Sequence, residues 1–340
     1  MQEFVLSTRL CFGERALDAL KGLGAARALL VTDRFFAQNG TAERVCALCG
    51  CETQIFAKVQ PDPPLSLIAE GVEQMQKFTP DVLIALGGGS AIDCAKGMLS
   101  MSGSEAKFIA IPTSSGTGSE VTSFAILTHE GVKHPLVDEK LRPYMAILDN
   151  SLLNDLPKGL IADAGMDVIA HCVEAVAAKN ASPFTQAMAI YAYRTASERL
   201  PRSFDGDSAV RGAIHCAATM AGIAFDNAGL GACHALSHAL GGAFHIAHGR
   251  LNGILLPHVI QYNMAHAPYS LLAPNLRFAV TRLRKRLQLP DTLTAAGLKR
   301  EDVLKQAQSI CEAAMHDPCT RGNPREMTAE AYHSILRACL

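Results

Sequence analysis

The spacing of hydrophobic positions changes part-way along the chain. In the first half, short β-branched and aliphatic runs at 28–32, 82–86, 108–111 and 145–148 alternate with stretches of helical spacing. Such alternation predicts parallel strands joined by crossover helices. The first three runs end in Asp33, in Gly87-Gly-Gly-Ser90 and in the Ser-, Thr- and Gly-rich segment 112–118. The carboxyl ends of strands are where open α/β sheets bind ligands. Beyond Leu156 the pattern shifts to long Ala-, His- and Leu-rich stretches of helical spacing with almost no strand signal. The expectation is an α/β domain with a parallel sheet over 1–156 and an all-helical domain over 157–340, with Pro157 interrupting the pattern at the boundary.

Composition narrows the field. Across 340 residues, 31 Lys+Arg stand against 32 Asp+Glu, a formal net charge of -1 that gives no footprint for nucleic acid or a membrane surface. With 49% hydrophobic and 19% charged residues, a large core is expected and disorder, collagen and coiled coil are excluded. The apolar runs are too short to span a bilayer and the start has no signal-peptide pattern, so a cytoplasmic protein is expected. Eleven scattered cysteines, an odd number, fit a reducing compartment better than a disulfide framework. Cys46, Cys49 and Cys51 cluster, but no second Cys or His pair lies at zinc-finger spacing, and a structural role is expected.

Two groups of residues carry candidate chemistry. Gly88, Gly89 and Ser90 follow a strand and open a helix, which would aim bare backbone N–H groups at an anion such as a pyrophosphate. The strict GxGxxG spacing is not met, because Ile92 stands at the third glycine position, and a plain tight turn is the alternative. Thr113, Ser114, Ser115 and Thr117 supply hydroxyls for a second phosphate or ribose contact, or for satisfying their own turn. Asp33 could accept both ribose hydroxyls and repel a 2′-phosphate, favouring NAD over NADP, or it could cap a helix. In the second half, Asp167 and His171 are four residues apart, as are His234 and His238, and His248 follows a Gly241-Gly242 break. Residues at that spacing share a helix face, so three imidazoles and one carboxylate could converge on a catalytic Fe²⁺ or Zn²⁺ with an open position. His215 and His245 stay open, with His245 near enough in sequence to line the same cleft; the remaining histidines read as surface or structural.

Together these segments resemble the iron-containing, group III alcohol dehydrogenase family. The matching stretches are Gly87-Gly-Gly-Ser-Ala-Ile-Asp93, Ile111 to Thr122, Gly165-Met-Asp-Val-Ile-Ala-His171, Gly229-Leu-Gly-Ala-Cys-His234 through His248-Gly249, and Asn323-Pro-Arg325. The segment Leu6-Ser-Thr-Arg-Leu-Cys-Phe-Gly13 looks most like the propanol dehydrogenases of propanediol utilisation, and residues 1–8 look like the family's first strand. The resemblance implies a dinucleotide-binding α/β domain plus a helical metal-binding domain, the dehydroquinate synthase-like fold, with the active site in the cleft between them. It implies Asp167, His171, His234 and His248 as metal ligands and His238 as a proton relay. It places Asp33, Gly88, Gly89, Ser90, Thr113, Ser114, Thr122 and Lys133 on cofactor positions, with Phe124 walling the substrate side.

The activity implied is NAD(H)-linked interconversion of short primary alcohols and aldehydes by a homodimer or higher homo-oligomer holding Fe²⁺ or Zn²⁺. It would associate with an aldehyde-producing enzyme, even within a bacterial microcompartment. Two departures stand out: Ala247 where many relatives have proline, and a region between His266 and Cys319 that looks shorter than in typical members. The rival readings are a zinc polyol dehydrogenase of the glycerol type, a dehydroquinate-type lyase, an idle metal- or nucleotide-binding partner protein, and a non-haem iron oxygenase. No basic cluster beside the histidines supports the lyase. A fourth protein ligand speaks against the oxygenase.

Overall fold

The computed structural model describes residues 3–129 and 132–340, with the side chains at 129, 132 and 133 outside the description. The chain divides into two compact units, one of Leu6–Asp155 and one of Met1–Val5 with Leu156–Leu340. The first unit holds β1 (Arg9–Gly13), β2 (Arg27–Asp33), α1 (Arg34–Gln38), α2 (Thr41–Cys49), β3 (Glu52–Val59), α3 (Leu65–Phe78), β4 (Val82–Gly87), α4 (Gly89–Ser102) and β5 (Lys107–Pro112). The hairpin strands β6 (Phe124–His129) and β7 (Val132–Val137) and then β8 (Met145–Asp149) complete it. Six strands form one sheet in the order β1-β8-β5-β4-β2-β3, and every pairing in it is parallel.

The strand sequences explain this arrangement. Every residue of β4 and β8 is buried, as expected of parallel strands covered on both faces. Alternate side chains feed two cores. Leu83, Ala85, Phe108 and Ala110 pack with Ile68 and Met75 of α3 and Ile92 and Met98 of α4. Ile84, Leu86, Ile109, Ile111 and Ile147 pack with Leu17 and Leu20 of the short helical turn Ala16–Gly22 and with Val45 of α2 on the opposite face.

The beginning of the chain differs from the expectation that residues 1–8 form the first strand. Strand β1 starts only at Arg9, and Phe4 and Val5 belong to the helical unit. There the Val5 N–H donates to Asn227 Oδ1 at 2.6 Å and Asn227 Nδ2 donates to the Val5 carbonyl at 3.0 Å, while the Phe4 ring lies 5.5 Å from that of Phe184. One amide side chain thus offers Val5 the donor and acceptor that a neighbouring strand would have supplied.

Among the described residues no strand follows Asp149. The helices are α5 (Lys158–Ala177), α6 (Pro183–Phe204), α7 (Arg211–Ala228), α8 (Ala232–Phe244), α9 (His248–Asn263), α10 (Leu276–Arg286), α11 (Arg300–Lys305), α12 (Ala307–His316) and α13 (Ala329–Ala338). Helix α5 is the centrepiece, and from Gly165 to Ala177 all its residues are buried, including the polar Asp167, His171 and Glu174. Gly165 admits the neighbouring helix closely, since a Cβ there would lie 2.3 Å from Leu200 Cδ2 of α6. Helix α6 begins with a reciprocal cap between Ser182 and Thr185 around Pro183. No described helix is long and apolar enough to cross a membrane.

Candidate active site

Helix α5 is buried yet carries Asp167, His171 and Glu174, spaced by four and three residues and so facing one way. His234 is the third residue of α8 and His248 the first of α9. The ligand atoms of Asp167, His234 and His248 all lie within 4.8 Å of one another. From Asp167 Oδ1, the Nε2 atoms of His248, His234 and His171 are 3.5, 3.7 and 3.8 Å away. The His171 ring stacks on His234 at 4.6 Å and on Phe225 at 4.3 Å, and its Nδ1 has no hydrogen-bond partner. All four residues expected as ligands are thereby brought together.

The electrostatics of this cluster call for a positive charge. Burial pushes the Asp167 carboxyl up, but the surrounding histidines outweigh it and hold the group well below the usual carboxylate range. Burial pushes His171 down to about 4 and His248 well below its ordinary value. His234 goes the other way: the Asp167 and Glu174 carboxylates overcome its burial and lift it to about 9. At the centre, Asn252 Nδ2 lies 2.8 Å from Asp167 Oδ1, 3.3 Å from His234 Nε2 and 3.2 Å from His248 Nε2. Its amide hydrogens converge where a cation would satisfy the same atoms. A three-imidazole, one-carboxylate set of this kind fits Fe²⁺ or Zn²⁺.

The surroundings hold these side chains in place. Gly249 permits the contact of α9 with α5, since a Cβ there would fall 1.9 Å from the Asp163 carbonyl oxygen. Beside it, Arg250 donates Nε and Nη2 to the two Asp163 carboxylate oxygens at 3.1 and 3.0 Å. His238, the expected relay, stacks on His248 with ring centroids 5.0 Å apart and hydrogen-bonds through Nδ1 to Asp317 Oδ2 at 2.9 Å. Glu174, Asn252 and Asp317 were not foreseen. The first two had a signal, falling three residues after His171 and four after His248, whereas Asp317 lies 79 residues from its partner. His245 is exposed at the C-terminal end of α8 with φ 54° and His215 is buried in α7; neither belongs to the ligand group.

The cofactor candidates gather in the first unit. Strands β2, β4 and β5 are adjacent and parallel, so Asp33, Gly87 to Ser90 and the loop from Thr113 stand at one end of the sheet. The first helical bonds of α4 run from the Ala91 and Ile92 N–H groups to the Gly88 carbonyl, which leaves the half-buried Gly88, Gly89 and Ser90 ahead of them with their N–H groups outside the ladder. The glycines are needed for close approach: a Cβ on Gly89 would meet Thr117 Cγ2 at 2.9 Å and one on Gly88 would meet Ser114 Oγ at 3.3 Å. Asp33 Oδ1 accepts the Phe36 N–H at 3.1 Å, so the carboxylate caps α1 as well as facing this end of the sheet. Thr122 is fully buried, its hydroxyl accepting from Lys96 Nζ at 3.0 Å, which gives it a supporting place. The Phe124 carbonyl accepts from the same lysine at 2.7 Å, and the Lys133 side chain lies outside the described residues.

Comparison with known proteins agrees with both halves. The 1-propanol dehydrogenase of Citrobacter freundii is 36% identical over 370 aligned positions, covering all of both chains. The bifunctional aldehyde-alcohol dehydrogenase of Escherichia coli is 38% identical over 94% of this chain, which spans only 44% of that protein's length. The iron-containing alcohol dehydrogenase structure from Thermococcus thioreducens superposes with a TM-score of 0.93 at 31% identity, covering 99% of each chain. Residues 7–150 match "Iron-containing alcohol dehydrogenase" and residues 161–340 match "Fe-containing alcohol dehydrogenase family, C-terminal". With the glycine cradle in one matched region and the His/Asp cluster in the other, the chain belongs to the iron-containing alcohol dehydrogenase family.

Proposed function

We propose that the protein is a metal-dependent, NAD(H)-linked alcohol dehydrogenase working as an aldehyde reductase on short-chain substrates of the propanol and propanal kind. The observation that carries the reading is the convergence of Asp167, His171, His234 and His248 from three helices. These four residues would hold the iron, and Gly88, Gly89, Ser90, Thr113 and Ser114, with Asp33 toward the ribose, would hold NAD(H). When bound, the metal supplies Lewis-acid polarisation of the substrate oxygen and the nicotinamide supplies the hydride exchange.

The chain's own residues do the rest. His238, oriented through Nδ1 by Asp317, would carry the proton exchanged at the substrate oxygen through its other ring nitrogen. The buried Glu174, Cys233 and Phe225 close the cluster on their side, while the partly exposed His248 faces outward. The carboxylate at Asp33 favours a free 2′-hydroxyl, hence NAD rather than NADP. A homodimer or higher homo-oligomer in the cytoplasm, associated with an enzyme that produces the aldehyde, completes the proposal.

The test is anaerobic NADH oxidation with propanal, on protein stripped of metal and reloaded with Fe²⁺ or Zn²⁺, beside a His248→Ala control. Turnover restored by one metal and lost in the control is the expected result. No turnover with either metal, in protein that still binds NADH, would overturn the short-aldehyde assignment.

A further inference from the structure

Helix α8, which carries His234, has no N-terminal cap of its own. Its N-cap is Gly231, with no side chain to offer, yet the helix starts in the buried interior where free N–H groups are costly. Two distant side chains take over. Asn323 Oδ1 accepts the Ala232 N–H at 3.3 Å. The buried Glu174 accepts the Gly231 and Cys233 N–H groups at 2.9 and 2.7 Å and lies 3.4 Å from that of His234. The same Glu174 Oε2 is 2.6 Å from His234 Nδ1. The glycine is required by this arrangement, since a Cβ at 231 would sit 2.8 Å from Glu174 Oε1 and 2.9 Å from Asn323 Oδ1.

We infer that Glu174 is a positioning residue of the metal centre: one carboxylate fixes the N-terminus of α8 and, through Nδ1, the ring of the ligand that this helix presents. The inference rests on the metal reading proposed above. An imidazole that donates its Nδ1–H to a carboxylate has its Nε2 lone pair directed to the metal, with the ring held in one plane. Here that partner stands on the helix that also carries Asp167 and His171. One face of α5 therefore presents two ligands directly and orients a third from another helix. The helix dipole adds to the arrangement, because the Glu174 anion lies at the positive end of α8. The cap and the ligand orientation cannot be lost separately when this carboxylate is removed, although Asn323 contributes to the cap alone.

The experiment uses the full-length chain, stripped of metal and titrated with Co²⁺, whose visible absorption reports ligand geometry and whose affinity is read by chelator competition. Parent, Glu174→Gln and His234→Ala are compared, with circular dichroism to establish folding. The expected result is Co²⁺ binding about 10- to 100-fold weaker in Glu174→Gln, with altered absorption bands, and a larger loss in His234→Ala. Glu174→Gln matching the parent in affinity and bands while His234→Ala loses Co²⁺ would overturn the role of Glu174 and leave the metal site standing. His234→Ala binding Co²⁺ like the parent would instead sink the metal reading itself. Should Glu174→Gln fail to fold, Gly231→Ala displaces the carboxylate with every ligand intact, and unchanged Co²⁺ affinity and bands in it would equally overturn the inference.

Discussion

At the scale of single residues, the site is a set of charges held where each would be costly without the others. His234, lifted to about 9 by two carboxylates, carries a proton at neutral pH in the metal-free protein. A cation must displace that proton, so apparent metal affinity should fall about tenfold for each pH unit below about 9 and level off above it. Isothermal titration in buffers of different ionisation enthalpy checks this, with close to one proton released per metal at pH 7 as the expected outcome. Gly249→Ala drives a methyl group into the Asp163 carbonyl, which no rotamer change relieves. The expected cost is at least about 1–3 kcal/mol of stability together with loss of tight metal binding, read by thermal unfolding with and without Fe²⁺. Asp317→Asn removes the charge that orients His238, and kcat for propanal reduction should fall by up to about 100-fold with little change in metal affinity.

At the scale of elements, legibility followed burial. Strands β2, β4, β5 and β8 were readable as unbroken apolar runs because both their faces are covered. Strand β3, with six of its eight positions exposed or partly so, and the five-residue edge strand β1 were not. The buried His/Asp cluster was partly readable because helical spacing places Asp167 with His171. Asp317 could not be read, since only the tertiary fold carries it across to His238. Ala247 is the N-cap of α9 with φ −53° and ψ 128°, the conformation a proline there would adopt, and its carbonyl accepts from Arg250 and Leu251. The position thus accommodates a proline without a change of backbone. Ala247→Pro should raise stability by about 0.4–1 kcal/mol through the unfolded chain, as measured by denaturant unfolding, without altering metal affinity.

For the whole molecule, the division of the chain sets where each ligand acts on stability. The proposed metal ligands all belong to the unit containing Leu156–Leu340, and the proposed cofactor residues to Leu6–Asp155. Protease protection on adding Fe²⁺ should therefore concentrate in helices α5, α8 and α9, and protection on adding NADH at the ends of β2, β4 and β5. Hydrogen exchange would reveal either pattern. The seating of Val5 on Asn227, across a separation of 222 residues, gives this division a temporal side. Val5 precedes the α/β unit in sequence but completes the helical unit that follows it, so the α/β unit is in effect an insertion within the helical one. During synthesis the sheet can assemble early, but Val5 must wait until α7 has been made before that closure can form.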